Sequence, residues 1–239
     1  MLRDGSALYW WAELLFILCF YVVYSTIRNL NEGSPDVARA NAYEIMRWQE
    51  ALGINREAAI HQWALGHLWL IIVANYFYGS LHFVVTVGTL VFLYRRHRED
   101  YPLLRNTIAI ATGIALAGFA FWPLMPPRLL PASFGFVDTL DVYPTFWSFK
   151  RGAVNEISNQ YAAMPSVHCI WALWCACALA PRLRSRRAKL LAVLYPVGTV
   201  VSIVLTANHF LLDAVAGFAV LALAAPIARL LPRLSSRSS

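Results

Sequence analysis

Asn208-His209-Phe210-Leu211-Leu212-Asp213 divides two apolar runs, one from about 190 to 207 and one from 210 to about 231. A histidine and an aspartate four residues apart share one face of a helix. Ionisable groups at the mouth of an apolar helix are costly and usually have a task. The same six residues also fit a plain helix start, with Asn208 as the cap and Asp213 solvated. The rest of the chain has to decide between the two.

Of the 239 residues, 59% are hydrophobic and 14% charged, and the mean hydropathy is +0.53. A soluble domain is less apolar and carries about a quarter charged residues. The chain therefore reads as all-α: a single polytopic membrane domain with six transmembrane helices. Six runs reach or approach the roughly 20 residues that a hydrocarbon core requires: 7–26, 63–94, 106–125, 166–180, 190–207 and 210–231. Arg3 alone precedes the first run as a basic residue, and the run reads as a retained anchor. Over 37–54, Asn41, Ile45, Trp48 and Leu52 recur at near-helical spacing among Arg39, Glu44, Arg47 and Glu50. That pattern predicts an amphipathic helix, either lying in the interface with Trp48 at head-group level or packed as a plain extramembrane helix. Neither a repeat nor a second domain is evident.

The net charge of +7 sits on short segments between apolar runs. That suits anionic lipid head groups, and no basic stripe interleaved with aromatics points to nucleic acid. Cys19, Cys169, Cys175 and Cys177 all fall inside apolar runs and read as small hydrophobes, without a disulfide framework or a zinc site. Arg95, Arg96 and Arg98 follow the second run; Arg182, Arg184, Arg186, Arg187 and Lys189 follow the fourth; Arg229, Arg233 and Arg237 mark the C-terminal end. The positive-inside rule then predicts a cell-membrane protein with both termini cytoplasmic. The long loop 126–164, the start of the fourth run and the turn between the fifth and sixth face outward. Arg128, His168, His209 and Asp213 accordingly share the extracytoplasmic side.

The fourth run opens with Met164-Pro165-Ser166-Val167-His168. From Ser166 it spans about 15 residues, or roughly 22 Å at helical rise, so its start is expected below the membrane surface. Pro165 suits a first helical turn and Ser166 a cap. The fourth and sixth helices run inward together, so both N-termini offer backbone N–H groups and a positive dipole end to an anion. Each start carries a histidine, and Arg128 adds a guanidinium suited to phosphate oxygens. These groups fit phosphoryl transfer through a phosphohistidine: His209 as nucleophile, Asp213 fixing its tautomer, and His168 moving protons to and from the alcohols. In the second run Asn75, Tyr78 and His82 form a polar stripe, either bonding between helices or walling a substrate pocket. A metal reading draws on His168, His209, Asp213 and His82, but no HExxH and no second carboxylate accompany them. No metal or other cofactor is therefore expected. His61, His67 and His97 read as interfacial or solvated.

Ala163-Met164-Pro165-Ser166-Val167-His168, followed about forty residues on by Asn208-His209-Phe210-Leu211-Leu212-Asp213, resembles the type-2 phosphatidic acid phosphatase superfamily. Within it the chain looks most like the inositol phosphorylceramide synthase and inositolphosphotransferase-like branch. The likeness covers nearly the whole chain as a six-span layout, and the two motifs in this order are fairly specific. It implies that His209 attacks, Asp213 supports it and His168 is the acid/base. It also implies catalysis without a metal at a non-cytoplasmic site. Three departures stand out. The superfamily's first motif is a lysine, six residues and then Arg-Pro; here Arg128 stands in Pro126-Pro127-Arg128-Leu129 with no such lysine. The third motif's Ser-Arg corresponds to Ser202-Ile203. Val167 replaces the glycine before His168. Lys150, Arg151, Asn208 or Thr206 are the candidates to complete the phosphate clamp.

The expected activity is therefore cleavage of a lipid phosphoester, with transfer of a phosphoryl or phospho-head group, of the inositol phosphate type, to water or an alcohol. The expected substrate-binding residues are Arg128, Ser166, Asn208, His82, Tyr78 and Asn75. The expected partners are a lipid phosphate or phospholipid, a polyol or alcohol acceptor, and the bilayer itself. The alternative is a small transporter or channel using His82, His168 and His209 as an ion or proton relay.

Overall fold

The computed structural model describes residues 9–30, 34–143 and 160–235. The chain enters as α1 (Trp10–Leu30) and α2 (Pro35–Ala51), then continues through the short α3 (Glu57–Leu65) into α4 (Leu68–Tyr76). A π-helical turn, Phe77–Leu81, joins α4 to α5 (His82–Arg96). After α6 (Tyr101–Phe121) come two 3₁₀ turns and the four-residue α7 (Thr139–Val142). The last three helices are α8 (Val167–Leu179), α9 (Arg186–Leu205) and α10 (Leu211–Ser235). Lys150 and Arg151 lie outside the described residues.

Among the described residues four helices are long and apolar enough to cross a membrane: Leu68–Arg96, Tyr101–Phe121, Arg186–Leu205 and Leu211–Leu231. Two shorter apolar helices, Trp10–Thr26 and Val167–Leu179, accompany them. This is the all-α architecture of a polytopic membrane protein. The helix expected over 63–94 starts at Leu68 instead, because Trp63 to Leu65 finish α3 and the chain turns at Gly66 and His67. The helix expected over 106–125 runs four to five residues earlier, ending before Trp122 and the proline cluster.

α8 lies at the centre, packed against α5, α6, α9 and α10. Lipid tails are as apolar as a side chain, so close packing and hydrogen bonds rather than water exclusion hold such a bundle. The Trp174 indole N–H donates to the Leu104 carbonyl at 3.0 Å, and that of Trp171 to Thr112 Oγ1 at 3.0 Å, tying α8 to α6. Two glycines let backbones approach at the start of α8. A Cβ on Gly118 would lie 2.6 Å from Pro165 Cδ, and one on Gly217 would lie 2.7 Å from the Ser166 carbonyl oxygen.

α2 buries Ala38, Ala42, Ile45 and Gln49. Ile45 of the stripe is inside, while Trp48 and Leu52 are exposed, and Trp48 stacks on Trp122. His61 is not solvated as expected but fully buried. Its Nδ1 is 2.8 Å from the Leu205 carbonyl, and the Val137 N–H donates to its Nε2 at 3.1 Å. One neutral tautomer satisfies both bonds, so His61 pins α3 and the long loop to the end of α9. Burial pushes its pKa below the ordinary imidazole range, against the smaller opposing effect of the Leu205 carbonyl.

Candidate active site

The turn between α9 and α10 is built by its own side chains. Thr206 Oγ1 donates to the Ser202 carbonyl, and Asn208 Nδ2 donates back to Thr206 Oγ1 at 2.7 Å. Ala207 holds a positive φ of 53°, a strained conformation for a residue with a side chain. Its carbonyl accepts the Arg128 N–H at 2.8 Å, so the long loop is fastened beside His209. At the start of α8, Ser166 accepts the Cys169 N–H as the predicted cap, and the Ser166 N–H donates to the Asp213 carbonyl at 3.0 Å. The two motifs are thus joined through their backbones.

His209 Nδ1 faces two acceptors, the Ala163 carbonyl at 2.9 Å and Asp213 Oδ2 at 3.2 Å. Both require a proton on Nδ1, which leaves the lone pair on Nε2. That atom is buried and has no hydrogen-bond partner. Asp213 is fully buried, and its Oδ2 also accepts the Phe210 N–H at 3.0 Å. The His168 ring centroid is 5.7 Å from that of His209. Tyr78 stacks on His168 at 4.0 Å, and His82 meets it edge-on at 4.3 Å. His82 Nδ1 lies 2.9 Å from the Tyr78 carbonyl, one helical turn back. The π turn is what brings both residues to this wall, a use of π-bulges that recurs at functional sites.

His209, His168, Arg128, Asn208, Tyr78 and His82 all line one cavity of about 320 Å³. Of the other expected site residues, Ser166 is wholly buried as a cap. Asn75 does not reach the cavity. Its side chain exchanges hydrogen bonds with Thr139, donating to the carbonyl at 3.2 Å and accepting from Oγ1 at 3.1 Å. It anchors α7, whose cap Asp138 accepts Arg128 Nη1 at 2.5 Å. Arg128 is therefore tethered to a carboxylate, while its buried Nε has no partner.

The expectation that the start of the last helix offers free amides to an anion is overturned. The Leu211 N–H donates to Glu57 Oε1 at 2.9 Å and the Leu212 N–H to Gln49 Oε1 at 3.1 Å; Phe210 already donates to Asp213. Glu57 and Gln49 are 1% and 0% exposed, so these acceptors belong to the protein interior. Sequence reading missed both. Gln49 was within reach of it: a polar residue in register with Ala38, Ala42 and Ile45 has to find a partner inside. Glu57 had no comparable signal. Among the described residues no three His, Cys, Asp or Glu side chains come together as a metal-binding group.

An α-helical membrane bundle with a histidine–aspartate pair, a second histidine and an arginine at one cavity defines a class of membrane phosphoesterases. A family model of the PAP2 superfamily matches residues 43–227, and the chain belongs to that superfamily. Membership assigns the membrane domain to lipid phosphoester chemistry, hydrolysis or transfer, in a superfamily that works without metal. No curated protein and no solved structure matches the chain.

Proposed function

We propose that the protein cleaves a lipid phosphoester through a phosphohistidine on His209 and passes the phosphoryl or phospho-head group to an alcohol or to water. The observation that supports this most is the double clamp on His209 Nδ1, which leaves Nε2 as a lone pair at the cavity wall. Nε2 forms the N–P bond as the P–O bond to the departing alcohol breaks. His168 gives its proton to that alcohol, then takes one from the acceptor, whose oxygen displaces His209. Asp213 holds the tautomer and offsets the imidazolium charge that develops. Arg128 stabilises the equatorial oxygens.

An apolar cavity of about 210 Å³ between α1, α5 and α6 shares Tyr21, Tyr24, Phe83 and Trp171 with the first. Its character suits an acyl chain, with the phosphoester at the polar end. We read α1, α4 with α5, α6, α8, α9 and α10 as six crossings, with α2 in the interface. Arg95, Arg96 and the 182–189 cluster mark the cytoplasmic end, and the cavity opens at the opposite one. The missing lysine and Ser-Arg pair favour the inositolphosphotransferase-like branch, in which a polyol collects the group. A transport role finds no support, because His82, His168 and His209 gather at one cavity instead of forming a path.

The test is turnover by the purified protein of lipid phosphoesters, with and without inositol, followed by mass spectrometry of both products. Turnover lost in His209→Ala, with an inositol-dependent product, is the expected result. Inorganic phosphate release indifferent to inositol would replace transfer by hydrolysis. No turnover of any lipid phosphoester would end the reading.

A further inference from the structure

The apolar slot between α1, α5 and α6 has a measurable length and width. It meets the first cavity at Tyr21, Tyr24, Phe83 and Trp171. From that end it follows α5 from Phe83 to Leu90 and α6 from Thr112 to Arg105, seven residues each, and α1 from Tyr24 to Phe16, eight residues. At helical rise these lengths are about 10.5 Å and about 12 Å. A volume of about 210 Å³ over about 11 Å leaves a section of roughly 20 Å², or about 4.5 Å across. Carbons in contact stand about 3.5–4.0 Å apart, so one alkyl chain fits and two do not. Both threonines among the described lining residues turn their hydroxyls to protein. Thr86 Oγ1 lies 3.7 Å from Cys175 Sγ, and Thr112 Oγ1 donates to the Ile108 carbonyl and accepts the Trp171 indole N–H. A cavity lined in this way stays dry and takes hydrocarbon.

The far end is closed by an ion pair. Arg105 donates to both carboxylate oxygens of Glu13 and to Asn106 Oδ1, and its guanidinium carbon lies 4.7 Å from the Phe16 ring centre. Forcing a methyl group between such partners would break a partly buried pair, which is strongly unfavourable. An extended alkyl chain advances about 1.25 Å per carbon, from a C–C bond of about 1.52 Å and a near-tetrahedral angle. We propose that the slot is a ruler for one acyl chain of the lipid substrate, admitting about eight to ten carbons and ending at the Arg105–Glu13 pair. The inference rests on the reading of the first cavity as the phosphoester site, because that reading fixes the head end of the chain at Tyr24 and Phe83.

Selection does not come from escape from water, since the bilayer is as apolar as the slot. It comes from packing. A chain that is too short leaves the far part of the slot without contacts, and a void of that kind is costly. Carbons beyond the Arg105–Glu13 pair turn out between the helices into lipid, where they gain nothing from the enzyme.

The experiment sets single-chain lipids in competition within one population of detergent micelles, using the full chain. The probes are 1-acyl lysophosphatidic acids and 1-acyl lysophosphatidylinositols, with acyl chains from about six to about fourteen carbons at equal mole fraction. Product ratios by mass spectrometry give relative kcat/KM without reference to the amount of active enzyme. In whichever series turns over, kcat/KM is expected to rise by about tenfold from six carbons to about nine and to stay level beyond. Ala109 lines the slot one turn from Arg105 toward the active site, so Ala109→Phe fills the far half and should move the break down by about four carbons. Phe16→Ala opens the far end and should move it to longer chains. Poor folding or a general loss of activity lowers every length together and leaves the break in place. A smooth trend through fourteen carbons, or a break that neither variant moves, would overturn the ruler while leaving the chemistry at His209 intact. Turnover of neither series at any length, or full turnover by His209→Ala, would remove both this inference and the reading beneath it.

Discussion

Gly217→Ala adds one methyl group, and the structure says where it goes. The new Cβ would sit 2.7 Å from the Ser166 carbonyl oxygen, where ordinary contact begins at about 3.4 Å, and it also touches Ile170 and Cys169. The atom in the way is backbone, so no rotamer change can relieve the clash. α10 must move off α8, or the start of α8 must move. Ser166 is the N-cap of α8, and its N–H is bonded to the Asp213 carbonyl. The displacement therefore reaches His168 and, through Asp213, His209, the two histidines that flank the reacting phosphorus. Overpacking of this kind costs about 1–3 kcal/mol, against a gain of up to about 1 kcal/mol for replacing a helical glycine by alanine. A shift approaching 1 Å at catalytic groups costs on the order of a hundredfold in rate. The assay is paired: thermal unfolding in detergent, and kcat/KM on a lipid phosphoester. Gly88→Ala and Gly113→Ala are the controls, since an added Cβ there meets nothing within 4 Å. Both should keep activity and hold or gain stability, while Gly217→Ala loses about 10–100-fold in kcat/KM and melts lower. If Gly217→Ala matches its controls, the contact between the two motif-bearing helices is not what positions the histidines.

Asp213→Asn can still accept the Phe210 N–H, and the Ala163 carbonyl still holds the His209 tautomer, but the charge that offsets the imidazolium is lost, so kcat should fall by about 10²–10⁴-fold with little change in thermal stability. Glu57→Ala leaves the part-buried Leu211 and Arg56 amides without their acceptor, at about 1 kcal/mol for each hydrogen bond lost. Glu57→Gln retains an acceptor, and its melting temperature should lie between those of the parent and Glu57→Ala. His61 gives a pH signature. Its folded-state pKa is lowered by burial, so its contribution to stability is complete above about pH 6.5 and is lost as pH falls toward the lowered value. Thermal unfolding measured from pH 7.5 to 5 should decline with acidification, and the decline should be shallower in His61→Gln.

The bundle was legible because long apolar runs have few alternatives to a spanning helix, and α8, α9 and α10 lie within a few residues of expectation. The His209–Asp213 contact was legible for the same local reason: a spacing of four places both on one helix face. Boundaries that depend on weaker breaks were harder. Gly66 and His67 end α3 without any polar run to announce it, and Trp122 with the proline cluster ends α6 early. Long-range partners were not legible. Nothing near Glu57 in the chain marks it as the acceptor for the Leu211 amide, 154 residues away. A uniform helical period puts Asn75 on one wall with Tyr78 and His82, whereas the π turn after it carries Tyr78 and His82 onto the cavity and leaves Asn75 on Thr139. The tether of Arg128 to Asp138 spans ten residues of loop broken only by short 3₁₀ turns, where no long-range periodicity applies.

The central claim is that His209 Nε2 attacks phosphorus, and a rapid-quench experiment tests it most directly. The full chain is mixed with a lipid phosphoester turned over at steady state, quenched within a turnover, digested and mapped by mass spectrometry. The account predicts a covalent phosphorus adduct on the peptide containing His209, absent from His209→Ala, which should also lack turnover. An adduct on another residue, or turnover by His209→Ala at the parent rate, would contradict it.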